Sequence, residues 1–281
     1  MTIILNNLRV MTQASRRSRP QLLLAGVGCC VPQGGSLAIL GASGAGKSLT
    51  GAAIAGTLPA GLAATGSLTV NGHEVLDQPA SRRQASARVC LMRQDPATAL
   101  HPLLPIAAQV TGAARAAGAD RRRARERGEQ VMGEAGLDRP LWPRLPGQVS
   151  GGQRQRAALA MALAASPIAL VADEPTSSLD SVARARFVRL LHHLRAQMRG
   201  LVPALILITH DCTVAEACDQ VLVLDGGRVV EAGAASTLLS APRHRVTRGL
   251  VEAWRQERDA VLGVRPRARQ PQGSRRRAVG R

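Results

Sequence analysis

One eight-residue stretch limits this chain more than any other. GASGAGKS, residues 41–48, follows the apolar run SLAIL and precedes a run of small residues. A short continuous apolar run predicts a buried strand, and the small residues after it predict a helix starting near Lys47. Gly41, Gly46, Lys47 and Ser48 fill the pattern G-x-x-x-x-G-K-[ST] in full. The backbone N–H groups of such a loop and of the helix start behind it can surround phosphate oxygens. The cradle would comprise Gly41, Ala42, Ser43, Gly44, Ala45, Gly46, Lys47, Ser48 and Leu49. Lys47 would reach the terminal phosphates and Ser48 would ligate Mg²⁺.

Lys47 is also the only lysine in the chain, although Lys and Arg together number 37. A loop wrapped closely around phosphates leaves room for a compact ammonium and not for a planar guanidinium. The one retained lysine therefore supports a working phosphate site.

Two further segments carry chemistry. IALVADEP, 168–175, reads as a buried strand ending in two acids. Asp173 would hold Mg²⁺, directly or through water, and Glu174 would polarise an attacking water as general base. VSGGQRQR, 149–156, puts Ser150, Gly151, Gly152 and Gln153 at the start of an Ala-rich helix. A serine hydroxyl and free N–H groups there form a second anion site, although alone the segment reads as an ordinary serine N-cap.

The net charge of +18 raises nucleic acid or acidic lipid as partners. The excess of Arg, Ala and Gly reads instead as compositional bias. The last 17 residues hold seven arginines and no acid, and with Pro, Gly and Gln they read as a disordered tail. RRRARERGEQ, 121–130, mixes signs and reads as a solvated helix face. The chain has one Phe, two Trp and no Tyr, so bases find no stacking platform beside either cluster. Five cysteines form no C-x-x-C pair, which argues against a disulfide framework or zinc site and fits a reducing compartment. No signal peptide is recognised at the start. The apolar stretch at 157–172 is broken by Pro167 and reads as a helix then a strand, so the chain is not expected to enter a membrane.

Residues 1–35 read as short strands and turns. GSLTVNGHEVL, 66–76, carries Asn-Gly between β-formers and predicts a hairpin. Residues 85–165 read as mostly helical, with a Pro-rich break at 140–147. Phe187, Leu190, Leu191, Leu194 and Met198 make a helical stripe, which leaves His192 and His193 as solvated side chains. LILIT and VLVL predict two more buried strands, and DGGRVVEAG a turn into a returning one. Apolar strands alternating with helices imply a largely parallel α/β sheet. The expected organisation is one unit over 1–262, with an inserted helical subdomain at roughly 85–165, followed by a basic tail over 263–281.

In this order the segments resemble the ATPase subunits of ABC transporters. The resemblance rests on GASGAGKS, on Gln94 in MRQDP, on VSGGQ, on the strand ending in Asp173 and Glu174, on SSLD with Asp180, and on ITH with His210. It covers residues from about 3 to 255. It implies a P-loop NTPase (RecA-like) α/β core with an antiparallel β-subdomain and an inserted helical subdomain. It implies ATP and Mg²⁺, and two ATPase subunits closing head to tail. Each ATP would lie between the phosphate loop of one chain and the signature serine, here Ser150, of the other. Gln94 would sense Mg²⁺ and touch the permease side, His210 would contact the γ-phosphate, and Asp180 would organise the dimer seam. The implied partners are two permease subunits, a second and paralogous ATPase, and an extracytoplasmic solute-binding protein. Specific nucleic acid is not expected, and the implied location is the cytoplasmic face of the bacterial inner membrane. The family places an aromatic under adenine ahead of the phosphate loop. Here that region reads ASRRSRP, which leaves an arginine such as Arg17 or Arg19, or an aliphatic side chain, to take its place. Segments 94–110 and 241–253 resemble peptide and nickel importers, and GKSLTGAAIAGTLPAG resembles the nickel branch, as does the short length. Nickel or a nickel chelate is the expected cargo, with di- or oligopeptides or another metal chelate as the alternative, and a soluble ABC ATPase acting on nucleic acid as the distant one.

Overall fold

The computed structural model describes residues 2–14, 19–93, 99–177, 179–197 and 204–261. Gln94, Arg17, Met198 and the 263–281 tail lie outside these residues.

The N-terminal third pairs β1 (Thr2–Thr12) with β2 (Leu22–Pro32) and with β4 (Leu62–Val70), all antiparallel, and β4 with the short β5 (His73–Glu74). The two 11-residue strands replace the short pieces expected at 1–35. The reason is a register shift between Leu5 and Leu8, where Asn7 takes φ 49°. Ile3, Leu5, Leu8 and Val10 are all buried. The bulge moves the alternation by one residue, so one long strand looks like two short ones. The expected hairpin is present: Asn71 (φ 50°) and Gly72 (φ 82°) connect β4 to β5. Positive φ at both central residues is what a type I′ turn needs.

The second sheet is the parallel one. β3 (Ser36–Leu40) lies between β8 (Ala204–Ile208) and β9 (Gln220–Asp225). β7 (Ala169–Asp173) and then β6 (Val89–Met92) continue it beyond β8, and β10 (Arg228–Ala234) returns antiparallel beside β9. β6 falls inside the segment expected to be helical, and it pairs residue by residue with β7. Four residues are too few to show a period, so only the pairing reveals the strand. The Pro-rich break holds two single 3₁₀ turns, Arg139–Leu141 and Pro146–Gln148.

Both faces of this sheet are covered, and alternate side chains feed two cores. Ala38, Leu40, Leu170, Ala172, Leu205 and Leu207 enter one core with the helices α2 (Ile106–Ala116), α3 (Arg121–Glu134), α4 (Gly151–Ala164) and α5 (Ser181–Gln197). The short α6 (Cys212–Glu216) and α7 (Ala235–Ser240) and the terminal α8 (Arg245–Val261) close that face. Leu37, Ile39, Val171, Ile206, Ile208 and Leu222 enter the other core with the antiparallel sheet and α1 (Lys47–Ala55). α1 lies so close to the strands that a Cβ on Gly51 would stand 2.4 Å from the Ile208 Cδ1 atom. This explains the run of small residues after the loop. α4 ends with Ser166 at φ 50° just before Pro167, the break read in the sequence. Among the described residues, no helix is long and apolar enough to cross a membrane.

Candidate functional site

The phosphate-loop motif leaves the sheet at the end of β3, and its glycines are required by geometry. Gly46 is the N-cap of α1 at φ 99°, and a Cβ there would meet Leu24 at 2.4 Å. Gly41 has the Leu224 carbonyl oxygen at the same 2.4 Å from a Cβ position. Lys47 is 7% exposed, and its Nζ donates to the carbonyls of Gly41 (2.8 Å) and Ala42 (3.0 Å). The loop therefore closes on its own lysine. Ser48 Oγ donates to Asp173 Oδ1 at 3.0 Å.

Asp173 ends β7, and Glu174 stands one residue beyond it at φ 47°. A non-glycine residue in the left-handed region is uncommon and recurs at functional sites. The Glu174 N–H donates to the Ile208 carbonyl at 2.8 Å, which ties the turn to the next strand. His210 follows β8, and its Nδ1 lies 3.0 Å from the Glu174 carboxylate. The carboxylate is largely buried, whereas the imidazole is 66% exposed. Burial pushes the Asp173 carboxyl up and Glu174 adds to this, while Ser48, Lys47 and Arg93 pull it down. The balance leaves it above the usual aspartate value.

The phosphate loop, Glu174 and His210 line one open cavity of about 520 Å³. The cavity lies outside the carboxyl ends of β3, β8 and β7, which are neighbours in the sheet. This is where open parallel sheets place their ligands. Leu23 also lines it, a residue the sequence did not single out. An apolar run at the start of β2 carries no signal beyond strand formation. Arg19 is exposed, and no role follows for it from the structure.

Ser150 and Asp180 do not join this cavity. Both line a second one, of about 670 Å³, together with Gly151, Gly152 and Gln153. Ser150 caps α4: its Oγ accepts from Gln153 N at 3.3 Å, and Gln153 Oε1 accepts from Ser150 N at 2.8 Å. Asp180 caps α5 through Ala183 N at 2.8 Å. Within one chain, the residues expected around one nucleotide thus divide between two separate cavities. Gln155, fully buried on α4, donates to the Pro175 carbonyl and links the two regions.

Comparison with known proteins gives the family and the fold. Residues 24–177 match the family model described as ABC transporter. The dipeptide transport ATP-binding protein DppD of Escherichia coli (strain K12) is 37% identical over 79% of this chain and 69% of its own length. The nickel import ATP-binding protein NikD of Rhodospirillum rubrum is 37% identical over 86% of this chain and 92% of its own. The ATP-binding cassette MJ0796, solved as a dimer with ADP and Pi, superposes with a TM-score of 0.68 over 83% of this chain and 98% of its own, at 24% identity, which supports the fold. With its phosphate loop, its acid pair and its two-cavity layout, the chain belongs to the ABC transporter family and is an ATPase cassette of the importer type.

Proposed function

We propose that this chain binds ATP in the cavity at the ends of β3, β8 and β7, hydrolyses it, and thereby energises import of nickel or a nickel chelate. The observation that carries the ATP site is the meeting of Lys47, Ser48, Glu174 and His210 around one opening, with Asp173 bonded to Ser48 beside it. The loop N–H groups and Lys47 hold the phosphates, and the Lys47 ammonium exchanges its carbonyl partners for phosphate oxygens. Leu23 offers the base an aliphatic wall in place of an aromatic ring. Glu174 orients a water and accepts its proton as the water attacks the γ-phosphorus and ADP leaves. His210 holds Glu174 and contacts the γ-phosphate. The oxygens of Ser48 and Asp173 are a fitting pair for Mg²⁺, because a hard cation takes oxygen donors and offsets the burial of Asp173. Gln94 would be the third residue of this set, and Mg²⁺ held there would supply neutralisation of the phosphate charge.

The two separated cavities support a head-to-tail pair. Ser150, Gly151, Gly152, Gln153 and Asp180 of one chain then complete the phosphate cavity of a second, paralogous chain. The partners are two permease subunits at the cytoplasmic face of the inner membrane and an extracytoplasmic solute-binding protein. One exposed loop suits the permease contact. Leu103 is 75% and Leu104 46% exposed, on a loop pinned from beneath by Gln109, which donates to the His101 and Leu104 carbonyls.

The nickel reading draws on the relative of that cargo, and the dipeptide relative, at the same identity, supports peptide as a second reading. The test is short-interval uptake of labelled nickel and of a labelled dipeptide in cells carrying native or Glu174→Gln protein. Loss of nickel uptake alone is expected, with ATP still bound and turnover down roughly 10²-fold or more. Loss of dipeptide uptake alone would replace the cargo, and no change in either would point first to another metal chelate and only then against the importer reading.

A further inference from the structure

His210 is an exposed imidazole that must stay over a largely buried carboxylate. What holds its backbone therefore matters more than what touches its ring. On one side, Thr209 N donates to the Ile39 carbonyl at 3.1 Å. On the other side stands Asp211, whose two carboxylate oxygens are both engaged. Oδ1 accepts from Thr213 N at 2.8 Å and caps α6, and Oδ2 pairs with Arg184 NH1 at 2.9 Å. Asp211 N in turn donates to Thr209 Oγ1 at 3.0 Å, which closes the turn around His210.

Arg184 is an unexpected residue where it stands. It lies in the first turn of α5, where the helix dipole disfavours a cation. Its Nε is buried and meets no acceptor among the described residues. A position chosen only for helix stability would not carry this side chain. The Asp211 carboxylate offsets the first of these problems by pairing with NH1, and the pair is partly shielded, with side chains 37% and 12% exposed. The Arg184 N–H also donates to the Asp180 carbonyl at 2.8 Å. That bond is the ordinary i→i−4 bond of the helix start, so it is the Arg184 side chain on Asp211 that ties α5, which begins just after Asp180, to the loop that carries His210.

We propose that Arg184 is a positioning residue for ATP hydrolysis. It clamps Asp211, keeps His210 over Glu174, and makes the placement of His210 follow the Asp180 segment. The proposal rests on the ATPase reading above. A simple structural ion pair would affect melting and leave the chemical step alone, so the test reads the chemical step.

The experiment measures ATP turnover and KM of the full chain, assembled with its permease, for native, Arg184→Gln, Arg184→Lys and Asp211→Asn proteins. Single-turnover rates are measured for Arg184→Gln in a His210→Ala background. Arg184→Gln is expected to lower kcat about 10-fold with KM within about twofold, a barrier change of about 1.4 kcal/mol. Arg184→Lys is expected to recover most of the loss, and Asp211→Asn to reproduce it should the glutamine variant fold poorly. In the His210→Ala background the same substitution is expected to change the rate by less than about twofold, because its effect runs through His210. Unchanged kcat in Arg184→Gln, or an undiminished loss in the His210→Ala background, would overturn the proposal. If the native assembly itself turned over no ATP, the ATPase reading would fail as well; an active native protein with an indifferent Arg184 sinks this inference alone.

Discussion

Lys47 shows how a single side chain answers to its surroundings. Its ammonium sits between two loop carbonyls at 2.8 and 3.0 Å, in a pocket that leaves it 7% exposed. A point charge with three rotatable donors can turn from carbonyls to phosphates without moving the loop. A guanidinium is wider, planar and fixed in its donor directions. Lys47→Arg is therefore expected to reduce ATP turnover at least roughly 10-fold while conserving charge. Steady-state kinetics of the purified variant checks this, and native kinetics would remove the account of the lone lysine. The same residue was legible from the sequence, since one lysine among 37 basic residues stands out. Leu23 was not legible, because its place beside the loop comes from β2 crossing behind it. Arg184 was equally hidden, since its partner Asp211 lies 27 residues away.

At the scale of elements, arginine has a structural job that composition alone does not reveal. Several helix C-termini end on a guanidinium from elsewhere in the chain. Arg83 donates to Ala53, Ile54, Val75 and Gln78 carbonyls behind α1. Arg156 does so for α3, Arg127 for α4 and Arg255 for α7. A forked cation suits several carbonyl oxygens at the negative end of a helix. Arg83 is buried and its pKa is lowered to about 10 by that burial. Arg83→Met is expected to cost about 2–4 kcal/mol, because the lost charge-assisted bonds outweigh the relief of a buried charge. Denaturant unfolding measures it, and a change below about 1 kcal/mol would show the cap to be idle. Glu231 performs the opposite task at the start of α8. Its carboxylate accepts the N–H groups of Arg243 and His244, both at 2.9 Å. Burial pushes this carboxyl up, but Thr247, the two N–H groups and the His244 ring outweigh it and leave it below the usual glutamate value. The folded value is the lower one, so the stabilisation is present above the unfolded value of about 4.3 and is lost as pH falls through the folded value. Glu231→Gln is expected to cost about 1 kcal/mol at neutral pH. The stability curves of native and variant should converge in acid, and parallel curves would contradict the assignment.

Across the whole molecule, two hydrophobic cores clamp one parallel sheet, and the candidate site occupies its carboxyl edge. The basic tail lies outside the described residues, and its composition of Arg, Pro, Gly and Gln carries none of the nucleotide motifs. Removing residues 265–281 is expected to leave ATP turnover and uptake within about twofold of native. A large loss in either assay would place the tail in the machinery.

Sequence by itself determined the motifs, the parallel α/β class and the expected nucleotide chemistry. These are local: a phosphate loop, an apolar run or a strand-end acid pair is written in consecutive residues. The long first strands and β6 were harder to read, because a bulge breaks the alternation in one and four residues show no period in the other. Tertiary structure alone decided which motifs meet. β8 lies between β3 and β7 in space while following both in sequence, and that order brings Lys47, Glu174 and His210 to one opening. It also keeps Ser150 and Asp180 at another opening, because α4 and α5 present their first turns on a different face. Strand order depends on non-local pairing and on packing on both faces of the sheet, and no short stretch of sequence encodes either.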